Sequence, residues 1–221
     1  MKTPSFLFDN DGVLMDSGDL HWEAWKELEK EVPSFSMTHD QFIHSFGKTN
    51  DLILSELIPS LSKDERTKLG ILKETLFRKV SKGKIQLLPG MEDFLSRLKE
   101  KNIPRIIASS APIDNILFFL EETPLKHYFS QYVSGEEVAH GKPAPDVFLE
   151  AAKRLNKDPK ECIVLEDSLA GLEAGKKAGC FVIALATSLP AEKLKHYDLI
   201  YPSPAYLDYP TILTQWNKVH T

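Results

Sequence analysis

Residues 162–179 read CIVLEDSLAGLEAGKKAG. Four apolar residues run together without alternation and stop at two acids, Glu166 and Asp167. Ser168 then stands where a helix would begin. A strand that is apolar on both faces belongs inside a parallel sheet, where helices cover each side. Gly171, Gly175 and Gly179 recur every four residues, a spacing expected to line one helical face and let that helix lie close to the sheet. The stretch superficially evokes the phosphate-binding loop GxxxxGK[ST], but the spacing is one short and Lys177 replaces the hydroxyl residue. A nucleotide site is therefore rejected there.

The same pattern extends in both directions. Buried-strand runs occur at Phe6–Phe8, Arg105–Ala108, Tyr132–Val133, Cys162–Leu165, Phe181–Leu185 and Leu199–Ile200. Helical periods lie between the later ones, at Met91–Lys101, Ile113–Glu121, Asp146–Leu155 and Leu169–Ala178. Strand and helix in alternation specify an α/β fold with a doubly wound, Rossmann-like parallel sheet. Residues 18–87 interrupt it with helical stretches such as HWEAWKELEKE and KDERTKLGILKETLFRKV and no convincing strand. The expected organisation is a discontinuous core of residues 1–17 and 88–221 with an inserted all-helical cap at 18–87. Pro89 is read as the start of the first core helix.

Composition sets bounds on partners. The chain has 221 residues, 42% hydrophobic and 27% charged, with a formal net charge of −5. Basic residues neither dominate nor cluster, so no nucleic-acid partner is expected. No apolar run approaches the ~20 residues of a membrane span. The apolar stretch after Lys2 is broken at Asp9, so no signal peptide is expected. Cys162 and Cys180 both lie in apolar surroundings, which fits buried reduced thiols and a cytoplasmic protein. A monomer is expected.

In an open α/β sheet, ligands bind beyond the carboxyl ends of the strands, so the residues that follow each run carry the information. Asp9 and Asp11 follow the first run, two places apart and able to converge. Ser109 and Ser110 follow IIA, ahead of a helix whose N-terminus favours an anion. Lys142 lies in HGKPAP, held extended by the proline after it. Glu166 and Asp167 follow CIVL. Carboxylates, a lysine and a hydroxyl brought to one sheet edge would bind a divalent cation together with a phosphate. Such an ion also removes the repulsion between Asp9 and Asp11.

On the motifs DNDGVLMDS, IIASS, GKPAPDVF and VLEDSLAGLEAGKKAG, the chain resembles the haloacid dehalogenase superfamily. The likeness is to its β-phosphoglucomutase-like and phosphoglycolate phosphatase-like members with helical caps. That resemblance implies Asp9 as nucleophile and Asp11 as general acid and base. It implies Ser109, with Ser110 beside it, and Lys142 as phosphoryl-binding residues. It also implies Mg²⁺ held by Asp9, the backbone carbonyl of Asp11 and Asp167. Glu166 would either orient a metal-bound water or complete a hydrogen-bond network. In the cap, His21 and Trp25 would face the hinge and site, while Trp22 and Trp25 also read as packing residues. The remaining histidines, His220 among them, are expected to be solvated.

The expected function is a Mg²⁺-dependent phosphatase acting on a small phosphorylated metabolite through an aspartyl-phosphate. Asp9 needs no base, being ionised at an ordinary pKa near 3.9, whereas Asp11 works best with a raised pKa. The alternatives are a β-phosphoglucomutase-like isomerase and a catalytically inactive binding module. In the cap loop GKTND, Asn50 stands where the mutase loop carries an arginine. Lys48 and Asn50 are the cap residues nominated for substrate contact, with Lys48 or Arg78 as replacement clamps.

Overall fold

Phe6 and Phe8 face one side of their strand and Leu7 the other, and both sides are covered by packed apolar residues. This is why the first run shows no alternation. The computed structural model describes residues 3–219, so His220 and the outermost ends of the expected core range lie outside it. In chain order the elements are β1 (Ser5–Phe8), α1 (Gly18–Glu31), α2 (His39–His44), α3 (Asn50–Leu57), α4 (Lys63–Ser81) and α5 (Met91–Glu100). They continue with β2 (Arg105–Ser109), α6 (Ile113–Glu122), β3 (Tyr132–Ser134), α7 (Asp146–Arg154) and β4 (Cys162–Glu166). The last are α8 (Leu169–Lys177), β5 (Phe181–Leu185), β6 (Leu199–Tyr201) and α9 (Tyr209–Lys218).

The six strands form one parallel sheet in the order β3-β2-β1-β4-β5-β6. Strand order reverses about β1, which places a crevice between β1 and β4 at their carboxyl ends. Register then sets what meets there. Phe8 pairs with Leu165 on one side and Ile107 on the other, and Asp9 N–H donates to Leu165 O at 3.1 Å. Asp9 and Glu166 therefore leave the sheet at the same level.

Helices α1–α4 intervene between β1 and α5 and share an apolar cluster of their own, with Trp25, Leu28, Phe42 and Leu54 in it. Phe77 of α4 and Ala24 of α1 pack instead with the sheet's first cluster. The chain leaves and re-enters the sheet layer side by side. Asp16 N–H donates to Gln86 O at 3.1 Å and Leu88 N–H to Leu14 O at 3.0 Å. Among the described residues no helix is long and apolar enough to cross a membrane.

Three details differ from what the sequence suggests. Helix α5 is capped by Gly90, so Pro89 precedes the helix instead of starting it. Gly179 lies past the end of α8 with φ of 84°, the left-handed residue that ends the helix, and a Cβ there would point into open space. Only Gly171 and Gly175 make the close approach. Helix α9 has no counterpart among the helical periods of the sequence, although Asp208 caps it by accepting from Thr211 N–H at 3.0 Å, and Tyr209, Ile212 and Trp216 are buried at helical spacing. Three apolar positions in one short segment make a weak periodic signal.

Candidate active site

Asp9, Glu166 and Asp167 bring carboxylate oxygens within 4.8 Å of one another at the β1/β4 crevice. Lys142, from the loop before α7, fills the space beside them. Its ammonium donates to Glu166 Oε1 at 2.5 Å and to Ala108 O at 3.4 Å, and it lies over the Phe148 ring. It is also 2.9 Å from Asp9 Oδ1. That approach is off the hydrogen-bonding direction, so charge holds the pair and Asp9 Oδ1 lacks a hydrogen-bond partner among the described residues. The Lys142–Pro143 peptide is cis.

Burial, then Glu166, pushes the Asp9 carboxyl up to about 7 against the opposing pull of Lys142. Burial, then Glu166 and Asp9, holds Asp167 well above the ordinary range, opposed by the Ser188 hydroxyl and by Lys142. Burial works against the Lys142 charge, yet Asp9 and Glu166 outweigh it and hold its pKa above the ordinary value. Asp9 is thus not the fully ionised carboxylate expected from its ordinary pKa, and added positive charge would favour its anion. Three buried carboxylates share one ammonium, and their donors are hard oxygens. The residues present fit a divalent cation such as Mg²⁺.

Glu166 is fully hydrogen-bonded. Besides Lys142, it accepts at Oε2 from Asp167 N–H at 3.0 Å, Ser168 N–H at 3.1 Å and Ser168 Oγ at 2.9 Å. It also adjoins the other two acids, so it completes a hydrogen-bond network within the acidic cluster. A Cβ at Gly171 would collide with its carboxylate. Gly→Ala within a helix ordinarily stabilises by about 1 kcal/mol. Here Gly171→Ala is expected to destabilise instead, by about 1–3 kcal/mol through overpacking. Urea denaturation checks this, and a raised midpoint would show that the carboxylate simply moves aside.

Asp11 points away from that cluster, toward α1. Its Oδ1 accepts from Ser17 Oγ at 2.5 Å and lies 3.1 Å from His21 Nε2. On the far side of the ring, Lys73 Nζ is 2.7 Å from His21 Nδ1. An ammonium has only donors, so Nδ1 accepts and Nε2–H faces Asp11. His21 also stacks on Phe77 at 3.9 Å. Burial opposes ionisation of Asp11 most strongly, but His21, Ser17 and Lys73 outweigh it and hold the carboxyl below its ordinary value. The general-acid role is best served by a raised pKa, but in this posture His21, Ser17 and Lys73 together outweigh burial and favour the anion.

Ser109 and Ser110 line a cleft of about 110 Å³ between the strand ends and the helices above. Ser109 Oγ accepts from Ala111 N–H at 3.2 Å, while Ser110 Oγ donates to Gly47 O at 3.1 Å, tying the strand end to the cap loop. His21, Trp25, Lys48 and Asn50 also border the cleft. Trp25 is buried and stacks on Phe35, as a packing residue does. Lys48 pairs with Glu56, and Asn50 donates to Glu74. Arg78 is not part of the cleft lining but adjoins it, donating to the lining residue Asn115 at Oδ1, 2.8 Å away. His39, His44, His127, His140 and His196 are exposed. Both cysteines are buried and free.

Sequence reasoning missed Lys73, Glu74, Asn115 and Ser188. The adjacent buried charges Lys73 and Glu74 sit within the polar-looking run KDERTKLGILKETLFRKV, where nothing local marks them as inward-facing. Ser188 donates to Asp167 from the loop after β5, with no motif around it.

Residues 6–185 match the haloacid dehalogenase-like hydrolase family. Hexitol phosphatase A of Escherichia coli is 32% identical over 208 residues, covering 92% of each chain. The bifunctional riboflavin kinase/FMN phosphatase of Arabidopsis thaliana is 46% identical over 110 residues, 49% of this chain and 29% of that protein. Among solved structures, the β-phosphoglucomutase of Clostridium difficile superposes with a TM-score of 0.88 at 25% identity, covering 99% of both chains.

Proposed function

The chain belongs to the haloacid dehalogenase-like hydrolases, and from that premise we propose that it is a Mg²⁺-dependent phosphatase of small phosphorylated metabolites. One observation carries the reading: Asp9, Glu166 and Asp167 converge with Lys142, and Asp9 and Asp167 face the cleft. The relative named hexitol phosphatase A, matched over nearly its whole length, supports the substrate class. The cap comprises residues 18–87 and the core 1–17 and 88–221. The buried reduced thiols support a cytoplasmic setting, and the enzyme is taken as a monomer.

Asp9, Asp167 and the backbone carbonyl of Asp11 would hold Mg²⁺, with Glu166 adjoining. When bound, the cation offsets the carboxylate charge and polarises the phosphoryl oxygens. Asp9 attacks phosphorus, the bond to the leaving alcohol breaks, and an aspartyl-phosphate forms. Lys142 and Ser109 bind the transferring group. Asp11 hands a proton to the departing alkoxide, then as carboxylate takes one from the water that hydrolyses the intermediate. The Ser17 and His21 contacts favour its base form, so proton donation requires Asp11 to leave them.

Chelation is the direct test. Enzyme stripped with EDTA should lose at least about 100-fold in phosphate release and regain it on adding Mg²⁺. An undiminished rate after stripping would remove the metal from the reading.

Isomerisation is the second reading, prompted by the structural likeness to a β-phosphoglucomutase. It requires a clamp for a second phosphate. Asn50 is instead an amide committed to Glu74 at 2.6 Å, and an amide cannot match arginine's bidentate grip on phosphate.

A further inference from the structure

Glu74 is a buried acid that the phosphoryl chemistry leaves unused. It stands on α4 in the cleft wall, 5% exposed. Its Oε1 accepts from Lys73 Nζ at 2.9 Å and Asn50 Nδ2 at 2.6 Å, and its Oε2 accepts from Asn115 Nδ2 at 2.5 Å. Burial works against its charge, but Lys73, His21 and Asn50 outweigh burial and hold the carboxyl below its usual range. It is an anion at neutral pH.

The neighbouring cations are engaged. Lys73 pairs with Glu74, and both side chains are buried. Lys48 reaches both oxygens of Glu56, at 2.9 and 2.7 Å. Arg78 donates to Asn115 and lies 3.7 Å from Asp114. The last two pairs are partly exposed and yield readily. The Lys73–Glu74 pair does not, because drawing the ammonium away strands a desolvated carboxylate.

We propose that Glu74 is a specificity-determining residue that makes the cleft select phosphomonoesters whose leaving group carries hydroxyls and no second anion. The inference rests on the phosphatase reading and deepens it. A hydroxyl can donate to the remaining lone pair of Oε2, which costs the wall nothing. A carboxylate or second phosphate placed against Glu74 must take Lys73 from it or pull Lys48 or Arg78 out of its own ion pair. Either way the penalty falls on the anionic substrate alone, which is how a buried charge discriminates.

A matched pair of esters tests it. D-glucitol 6-phosphate and 6-phosphogluconate differ only at C1, a hydroxymethyl against a carboxylate. Wild-type kcat/KM should favour the glucitol ester by at least about tenfold. Glu74→Gln keeps the side-chain volume and should shrink that ratio by about tenfold. Asn50→Lys leaves the Lys73–Glu74 pair in place while adding a cation, and should shrink the ratio too. It decides the matter if Glu74→Gln does not fold. Hydrolysis of p-nitrophenyl phosphate runs alongside as a reporter of the chemistry. If wild type with Mg²⁺ fails on the aryl ester and on both others, the phosphatase reading itself falls, and this inference with it. If the aryl ester is hydrolysed but wild type shows no glucitol preference or turns over neither hexose-derived ester, the Glu74 inference alone is overturned. It is overturned equally if the folded Glu74→Gln protein keeps the full ratio, or, should that variant not fold, if Asn50→Lys does.

Discussion

Asp9→Asn is expected to reduce phosphate release on the order of 10⁴-fold while the protein stays folded. The substitution keeps volume and an acceptor oxygen facing Lys142, but an amide oxygen is a poor nucleophile toward phosphorus. Stability should not suffer, because burial and Glu166 already push the Asp9 carboxyl up to about 7, so the charged form is a burden in the metal-free protein. The sign is definite. A raised carboxyl pKa means the native state binds a proton that the unfolded chain releases, so the metal-free wild type loses stability as pH rises from about 4 toward 7. The Asn variant lacks that loss. Thermal unfolding near neutral pH in EDTA should therefore place the variant at or above wild type. A variant retaining a tenth of wild-type turnover with Mg²⁺ would remove Asp9 from the nucleophile's role.

The second large effect concerns Asp11→Asn and depends on the leaving group. Its acceptor oxygen can still take the hydrogen bonds from Ser17 and His21, so the local posture should persist. What is lost is the proton. A sugar or polyol alkoxide needs protonation as it departs, and the loss there should be about 10³-fold, within the span of general acid catalysis. p-Nitrophenolate departs without a proton, so its release in a single-turnover burst should fall only about tenfold. Hydrolysis of the aspartyl-phosphate still needs a base, so steady-state turnover should fall even with the aryl ester. Pre-steady-state measurement separates the two steps. Equal losses in the burst for both ester types would mean that Asp11 shapes the site without moving a proton.

Much of this architecture is legible in residue order because a parallel sheet leaves a local signature. A strand covered on both faces must be apolar throughout, so the central runs announce themselves, and the acids, serines and lysine that follow the runs mark the functional edge. The chemistry-bearing residues Asp9, Asp11, Ser109, Lys142, Glu166 and Asp167 could be nominated that way. Their mutual arrangement could not. Strand register brings Asp9 level with Glu166, and a loop distant in sequence brings Lys142 between them. The Asp9 and Asp11 environments differ because one carboxyl faces buried acids and the other faces Ser17 and His21. Residue spacing carries no such information. The cap shows the limit most clearly. Lys73 and Glu74 lie in a helix rich in charge, where inward and outward positions look alike. Only the packing of α4 against α1, α3 and α6 buries them, and burial turns two ordinary charges into a wall that a substrate must satisfy.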